Sequence, residues 1–150
     1  MEDYRDTKNS MFELNSFDYA GFWIRLGARL IDSIIVYILF MALAELVPWL
    51  SQGETLTEMM YFSAVNLLVG ILYYAGLEGS SMQASIGKQV FKLKVIDKTG
   101  KQLSMPKALL RSVTKEIGIM FLVGGLMVGF TDKKRGLHDM VANTFVIRGR

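Results

Sequence analysis

Three charged side chains stand at the start of the first long apolar stretch of this chain, at a spacing that places them on one side of a helix. Arg25, Arg29 and Asp32 precede an uncharged run at residues 33–44. At 100° per residue, Arg25 and Arg29 are separated by about 40°, and Asp32 lies about 60° from Arg29. Burial at a bilayer edge favours the protonated form of a carboxylate, whereas nearby cations favour its charged form. Such a group can exchange a proton for a sodium ion.

The same residues also fit a purely structural interpretation. Arginine side chains at a helix end can reach lipid phosphates, and Arg29 and Asp32, three residues apart, can partly neutralise one another. A second carboxylate, Asp139, follows the last apolar stretch, and we expect it to fold back against Arg25 or Arg29. That contact would either complete an ion site or form a static salt bridge that holds the C-terminal tail against the first helix. The sequence leaves both alternatives open.

Other kinds of site lack the residues that they need. The chain has no cysteine and a single histidine, His138, so a zinc site or a paired-metal centre has too few ligands. No serine or threonine has the base and the orienting group that nucleophilic catalysis requires in a recognisable pattern. The pair Gly87-Lys88 lacks the spacing of a phosphate-binding loop. We therefore expect no enzymatic activity, no cofactor and no metal.

Length and composition indicate one small integral membrane protein. The chain has 150 residues, of which 51% are hydrophobic, and a net charge of +3. We divide it into a polar N-terminal arm at residues 1–18 and a membrane domain at residues 19–150. The arm lacks the apolar core and the small-residue cleavage site of a signal peptide, so cleavage is not expected.

Two apolar segments are long enough to cross a bilayer. We expect one helix at about residues 22–47 and a second at about 58–77, in which Asn66 would hydrogen-bond another helix. The loop at residues 51–58 carries two acids and no basic residue, whereas residues 88–115 carry eight Lys or Arg. By the positive-inside rule, both termini are predicted to be cytoplasmic, in the inner membrane of a prokaryote.

The remaining elements are a short β element and a third helix. Residues 90–103 alternate around a turn and predict a cytoplasmic β-hairpin, which a C-terminal strand at 143–147 would join. The apolar half of the third helix, at 117–130, covers about 21 Å of the roughly 30 Å hydrocarbon core. A short re-entrant or interfacial helix is therefore favoured over a third spanning helix, with Gly125 and Gly129 spaced for close helix contact. The predicted fold is an all-α membrane protein with a small β element.

A basic cluster follows the third apolar segment, at Lys133, Lys134 and Arg135. Beside a membrane-bound segment, these side chains are expected to meet anionic lipid headgroups rather than nucleic acid. The expected partners are therefore membrane lipids, with Na⁺ or H⁺ as the ligand of the ion site.

Taken together, these motifs resemble the RDD family of small membrane proteins, which is named for an arginine and two aspartates. The resemblance rests on segments in family order at residues 21–32, 85–88, 93–97 with Gly100, 108–111, 134–139 and 143–146. It implies that Arg25 is the family's arginine and that Asp32 and Asp139 are its aspartates. In two respects this sequence departs from the family pattern: Ser85 replaces a common threonine, and the third apolar segment is shorter and richer in glycine.

The resemblance implies two classes of function, because some members have been linked to sodium/proton exchange and others to membrane-protein quality control. In the first, the chain assists monovalent cation/proton exchange through a charged cluster of Arg25, Arg29, Asp32 and Asp139. In the second, it is a non-transporting scaffold or adaptor that binds lipids and partner membrane proteins. No internal repeat is visible, so transport would require a homo-oligomer or a partner membrane protein.

Overall fold

The computed structural model describes residues 17–47, 55–120, 127–129, 131 and 133–149. Within these ranges the chain is mostly helical and contains one small sheet. Most of the polar arm, at residues 1–16, lies outside them, as does Gly125. The elements follow in the order helix α1 (Phe22–Leu46), helix α2 (Leu56–Glu78), helix α3 (Ile86–Val90), strand β1 (Leu93–Asp97), helix α4 (Met105–Met120), a 3-10 turn (Met127–Gly129), helix α5 (Leu137–Val141) and strand β2 (Thr144–Arg148).

Helices α1 and α2 are long and apolar enough to cross a membrane, which confirms the prediction of two candidate spans. They contain 25 and 23 residues. Most of their large apolar side chains face outward, and Leu30, Ile34 and Leu72 keep 60%, 61% and 59% of their surface exposed. Because so large an apolar surface is costly in water and stable in lipid, both helices have the character of membrane-spanning segments.

Helix α2 begins at a local capping arrangement. The backbone N–H of Glu58 donates to Thr55 Oγ1 at 3.3 Å, and the backbone N–H of Thr55 donates to the Glu58 carboxylate at 2.9 Å. This reciprocal pair satisfies two of the backbone donors that every helix start leaves open. The helix continues to Glu78, one residue beyond the predicted end, and so includes an acid that is fully buried.

The sheet is formed by β1 and β2, which run antiparallel with Val95 opposite Val146. The predicted hairpin at residues 90–103 is wrong in its second half, because residues 101–103 form no strand. The predicted turn is present, however: Asp97 Oδ1 accepts hydrogen bonds from Thr99 N at 2.7 Å and Lys101 N at 3.2 Å. This turn leads into α4 rather than into a paired strand, so β1 pairs with the C-terminal strand instead.

A small apolar core lies where the sheet meets the start of α1. Ala20, Ala28, Val95, Leu103 and Val146 belong to it, and each is at most 2% exposed. The backbone N–H of Ala20 donates to Val146 O at 3.0 Å, so the chain entering α1 is tied to β2. Around this core, α4 packs on α2 and α5, and α1 packs on α3. The start of α1 and the end of α2 are thereby held beside the C-terminal segment.

The predicted third helix corresponds to α4, whose described part ends at Met120. Residues 121–126 lie outside the described ranges, and a 3-10 turn follows at Met127–Gly129. Gly129 is exposed, and a Cβ added there would meet none of the described residues within 4 Å. Asn66 is half-buried in α2, and its predicted hydrogen bond to another helix is absent from the contacts of the described residues.

Candidate functional site

Asp139 is a fully buried carboxylate that joins two arginines from different helices. Helix α5 begins just before it, and its Oδ2 accepts the backbone N–H of Gly136 at 3.1 Å. Arg25 Nη1 donates to the same oxygen, and Arg25 Nε donates to Ala20 O at 3.0 Å. Arg111 donates to Oδ1 from Nη2 at 2.6 Å. The structure therefore brings Asp139 to Arg25, one of the two arginines expected to meet it.

Arg111 links Asp139 to a second buried acid, Glu78. Its Nη1 donates to the Glu78 carboxylate, while its Nε donates to Asp139 Oδ1 at 3.0 Å and to Thr144 Oγ1 at 3.2 Å. The Arg111 side chain is 1% exposed and both carboxylates are fully buried. Burial alone would lower the pKa of Arg111, but the two carboxylates raise it above its ordinary value. Arg111 is thus a permanent charge at the centre of the group.

Two lysines complete what we call the buried ion cluster. Lys88 Nζ donates to Glu78, and Lys115 Nζ lies 3.9 Å from the same carboxylate and 3.1 Å from the centre of the Tyr74 ring. The buried ion cluster consists of Arg25, Glu78, Lys88, Arg111, Lys115 and Asp139. It contains four bases and two acids. The elements α1, α2, α3, α4 and α5 each contribute at least one member, so it holds the whole described fold together.

The electrostatics of this cluster follow from burial and from the excess of bases. Burial raises the pKa of Asp139, but the neighbouring His138, Arg111 and Arg25 hold it well below its usual range. Burial and the charge of Arg111 lower the pKa of Lys88 to about 8, although Glu78 acts in the opposite direction. Burial and Lys88 likewise lower the pKa of Lys115. The acids are therefore stabilised as carboxylates, and the lysines are the members most ready to lose a proton.

Asp32 lies apart from that cluster, in an environment of neutral donors. Its Oδ1 accepts from the Tyr73 hydroxyl at 2.8 Å and from the backbone N–H of Gly87 at 2.7 Å, and its Oδ2 accepts from Ser85 Oγ at 2.6 Å. Asp32 is 1% exposed. Among the described residues, no basic side chain lies within ion-pair distance of it. We call Asp32, Tyr73, Ser85 and Gly87 the Asp32 site.

The predicted pair between Arg29 and Asp32 is therefore wrong. Arg29 Nη2 donates instead to Glu116 Oε1 of α4 at 3.1 Å, and its guanidinium carbon lies 5.0 Å from the centre of the Tyr74 ring. The reason is geometric: Asp32 points towards α2 and α3, whose donors occupy both of its oxygens, whereas Arg29 faces α4. The four residues expected to form one charged cluster are divided among the Arg25–Asp139 pair, the Arg29–Glu116 pair and the Asp32 site.

The basic residues expected at lipid headgroups also make contacts within the fold. Arg135 lies with its guanidinium carbon 4.6 Å from the centre of the Phe145 ring, and Lys133 Nζ lies 5.8 Å from the same ring. Lys134 is exposed and donates from Nζ to Tyr19 O at 3.2 Å. Of the three, only Lys134 is exposed, so it has the most surface left for a headgroup.

Sequence reasoning assigned no role to several residues of these sites, namely Tyr73, Glu78, Ser85, Lys88, Arg111 and Lys115. A signal for Glu78 was available, because it is the first acid after an apolar stretch of nineteen residues at 59–77. Ser85, Lys88 and Arg111 lie in segments already matched as motifs. Within the described residues, no group of three or more His, Cys, Asp or Glu side chains could hold a metal ion.

Comparison with known proteins gives consistent matches along most of the chain. A family model described as "RDD family" matches residues 19–143. The chain is 34% identical to "Uncharacterized protein YxaI" of Bacillus subtilis (strain 168), over 85% of this chain and 96% of that protein. It is 32% identical to "Uncharacterized protein YckC", over 89% and 87%, and to "Uncharacterized membrane protein YteJ", over 90% and 84%, both of the same organism. No solved structure matches.

Proposed function

This chain belongs to the RDD family, and from that premise we propose that it is an integral membrane protein whose Asp32 site alternately binds a proton and a monovalent cation, and so assists Na⁺/H⁺ exchange. Membrane residence is supported by the two apolar helices and by the printed name of the relative YteJ, which calls it a membrane protein. The proposal needs no cofactor, no nucleic acid and no enzymatic step.

The proposed orientation has the N- and C-termini, the sheet and the buried ion cluster on the cytoplasmic side of a prokaryotic inner membrane. It is supported by the basic residues of 88–115, since basic segments are retained on the inner side. In this orientation α1 runs outward and α2 returns. Helix α4 packs on the returning helix, and we propose that it lies at the interface or re-enters the membrane rather than spanning it.

The observation that carries the ion-binding proposal is the set of donors around Asp32. A buried carboxylate needs compensation, and here the compensation comes from two hydroxyl groups and one backbone N–H rather than from a fixed cation. Hydroxyl groups can turn, so that Tyr73 and Ser85 can offer lone pairs in place of hydrogens. Oxygen ligands of this kind suit a hard cation such as Na⁺. When no cation is bound, a proton on the Asp32 carboxyl takes its place.

Transport by this site would require more than one chain. Asp32 lies in the third turn of α1, near one end of the helix, whereas transporter sites usually lie near the membrane midplane between repeats. The exposed apolar faces of α1 and α2 are available for a second copy or for a partner membrane protein. We therefore propose that exchange takes place in a homo-oligomer or in a complex with a partner membrane protein.

The test is sodium-driven proton movement in proteoliposomes that contain the full chain and a pH-sensitive dye. Asp32→Asn keeps the size of the side chain and removes its charge, so we expect it to abolish the flux. Asp18→Asn is the matched control, because Asp18 is an exposed carboxylate whose distance to Arg148 is 3.7 Å. Thermal unfolding in detergent checks that both variants are folded. A flux that survives Asp32→Asn would refute the proposal.

A second candidate function is a non-transporting scaffold or adaptor. It is favoured by the buried ion cluster, in which both acids are fully paired and tie five helices together as a fixed structure would. In that case the purified protein moves no ions but co-isolates with one defined membrane protein. The binding should be lost when outward-facing apolar residues such as Ile34 and Leu72 are replaced by serine, and retained in Asp32→Asn.

A further inference from the structure

The buried ion cluster holds more bases than acids, and this excess requires an explanation. Among the described residues, its four bases face two acids, Glu78 and Asp139, and the neighbouring Arg29–Glu116 pair neutralises itself without supplying a further acid. Burying an uncompensated charge is costly, because the protein interior replaces little of the solvation that water provides. The excess can be relieved in two ways: a lysine can lose its proton, or an anion can bind.

Among the described residues, three guanidinium nitrogens are buried without a hydrogen-bond partner. One is Nε of Arg135, and the two on α1, next to this excess, are Nη2 of Arg25 and Nη1 of Arg29. The Arg25 side chain is 10% exposed and uses its other nitrogens for Ala20 O and Asp139. The Arg29 side chain uses Nη2 for Glu116. Buried donors in proteins are almost always satisfied, so two unsatisfied ones on successive turns of α1 point to a missing acceptor.

We propose that Nη2 of Arg25 and Nη1 of Arg29 bind a phosphate-bearing anion at the headgroup level of the membrane. A phosphate supplies several acceptor oxygens at once, so one anion can accept a charge-assisted hydrogen bond from each of these two nitrogens. The anion also offsets the excess of positive charge in the cluster. Both arginines lie within the first eight residues of a helix that is uncharged over residues 33–44, and arginines near the end of such a helix can reach lipid headgroups.

Arg29 is the more exposed of the two arginines. Its side chain is 23% exposed, compared with 10% for Arg25. An anion that arrives from the surface therefore meets Arg29 before Arg25. The phosphate can come from a lipid headgroup or from solution, since both present the same oxygens. This site does not include Asp32. The anion-binding proposal can therefore fail while the ion-exchange proposal stands, and the reverse is also possible.

The experiment measures the thermal unfolding midpoint of the full chain in nanodiscs. Discs of phosphatidylcholine are compared with discs that also contain phosphatidylglycerol, and each is titrated with inorganic phosphate against sodium chloride of equal ionic strength. We expect the midpoint to rise with one or both sources of phosphate. A rise with phosphatidylglycerol alone identifies a lipid headgroup, and a rise with inorganic phosphate in phosphatidylcholine identifies a free anion.

Two variants separate binding from the loss of an ion pair. Arg29→Gln removes a charged donor, so the apparent affinity should fall about tenfold, as expected for one charge-assisted hydrogen bond. Glu116→Gln breaks the same Arg29–Glu116 pair but keeps the arginine, so binding should be retained or tightened. Where Arg29→Gln does not fold, Arg29→Lys keeps the charge, loses the planar fork and should also bind more weakly.

Two results would overturn the proposal. The first is a midpoint that is the same in every disc and with every salt. In that case the measurement is repeated above pH 8. A midpoint that rises with pH then shows that the excess charge is relieved by proton loss from a lysine and not by an anion. The second is a response to phosphate that Arg29→Gln retains in full.

Discussion

Arg111 donates two hydrogen bonds to a single carboxylate oxygen of Asp139, from Nε at 3.0 Å and from Nη2 at 2.6 Å. The other oxygen of that carboxylate accepts from Arg25, so one aspartate joins α1 to α4. An aspartate from the C-terminal part of the chain thus neutralises charges on two helices that precede it. The consequence is that the tail is a structural part of the membrane domain and not an appendage.

Removal of the Arg111 guanidinium should be severely destabilising. Arg111→Met leaves Glu78 and Asp139 buried with too few donors, and we expect a loss of about 3 to 5 kcal/mol in the free energy of unfolding. The measurement is denaturant unfolding in detergent micelles. Lys107→Met is the control, since Lys107 is 39% exposed and lies 3.4 Å from Asp97, and it should cost less than about 1 kcal/mol. Equal losses in the two variants would contradict the assigned role.

Gly87 should tolerate no side chain. A Cβ at this position would overlap the carbonyl oxygen of Ala28 and lie 2.9 Å from the Asp32 carboxylate, which the Gly87 N–H now binds. We expect Gly87→Ala to cost about 2 to 4 kcal/mol, from overpacking and the lost hydrogen bond. Gly76→Ala is the matched control in α2, where nothing lies within 4 Å, and it should be neutral or stabilising by up to about 1 kcal/mol. Both are measured by thermal unfolding.

His138 should make the protein less stable in mild acid. Burial, together with the nearby cations, lowers the pKa of His138 from 6.5 to about 3, although Asp139 opposes the shift. Between these two values His138 binds a proton in the unfolded chain but not in the folded chain. Its contribution to the free energy of unfolding is therefore fully present above pH 6.5 and is lost as the pH falls. The slope approaches about 1.4 kcal/mol per pH unit.

The measurement is the unfolding free energy from pH 6.5 down to about pH 5, where carboxylates are still largely ionised in the unfolded chain. His138 is the only histidine of the chain, so His138→Gln should flatten the profile in this range. A slope that persists in His138→Gln would assign the effect to other groups.

Replacement of Arg135 should destabilise the protein more than replacement of its neighbour Lys134. Arg135 stacks on Phe145 and donates from Nη2 to Asp139 O at 3.1 Å, so Arg135→Gln should cost about 1 to 2 kcal/mol in unfolding free energy. Lys134 is exposed, so Lys134→Gln should change the unfolding free energy by no more than about 0.5 kcal/mol. Chemical denaturation of the two variants side by side measures the difference, and the reverse order of effects would contradict these contacts.

The sequence was sufficient to predict features that depend on neighbours in the chain. The two long helices follow from uninterrupted apolar runs, and the turn at Asp97 follows from a side chain that binds its own backbone two residues on. The likeness to the RDD family, which was inferred from short motifs in a fixed order, is confirmed by the family model that matches residues 19–143. In each case the signal and its structural cause lie within a few residues of each other.

Features that depend on distant partners were not predictable in the same way. Arg29 and Asp32 have a spacing that permits a pair, yet Arg29 binds Glu116, 87 residues away, and Asp32 binds Ser85, 53 residues away. Likewise, β1 could be recognised as a strand, but its partner is β2 and not the adjacent segment. Helical spacing says which side chains share a face and not which of several available partners packs against that face.

The pairing of β1 with the C-terminal strand also sets an order of events during biosynthesis. Asp139 and β2 are the last of the described pieces to leave the ribosome, after both long helices have been made. Until they emerge, Arg25 lacks its counter-ion, Arg111 has only Glu78 to pair with, and β1 lacks its partner strand. A nascent chain that stalls before Asp139 would therefore carry the Arg25 charge unneutralised beside its apolar helices.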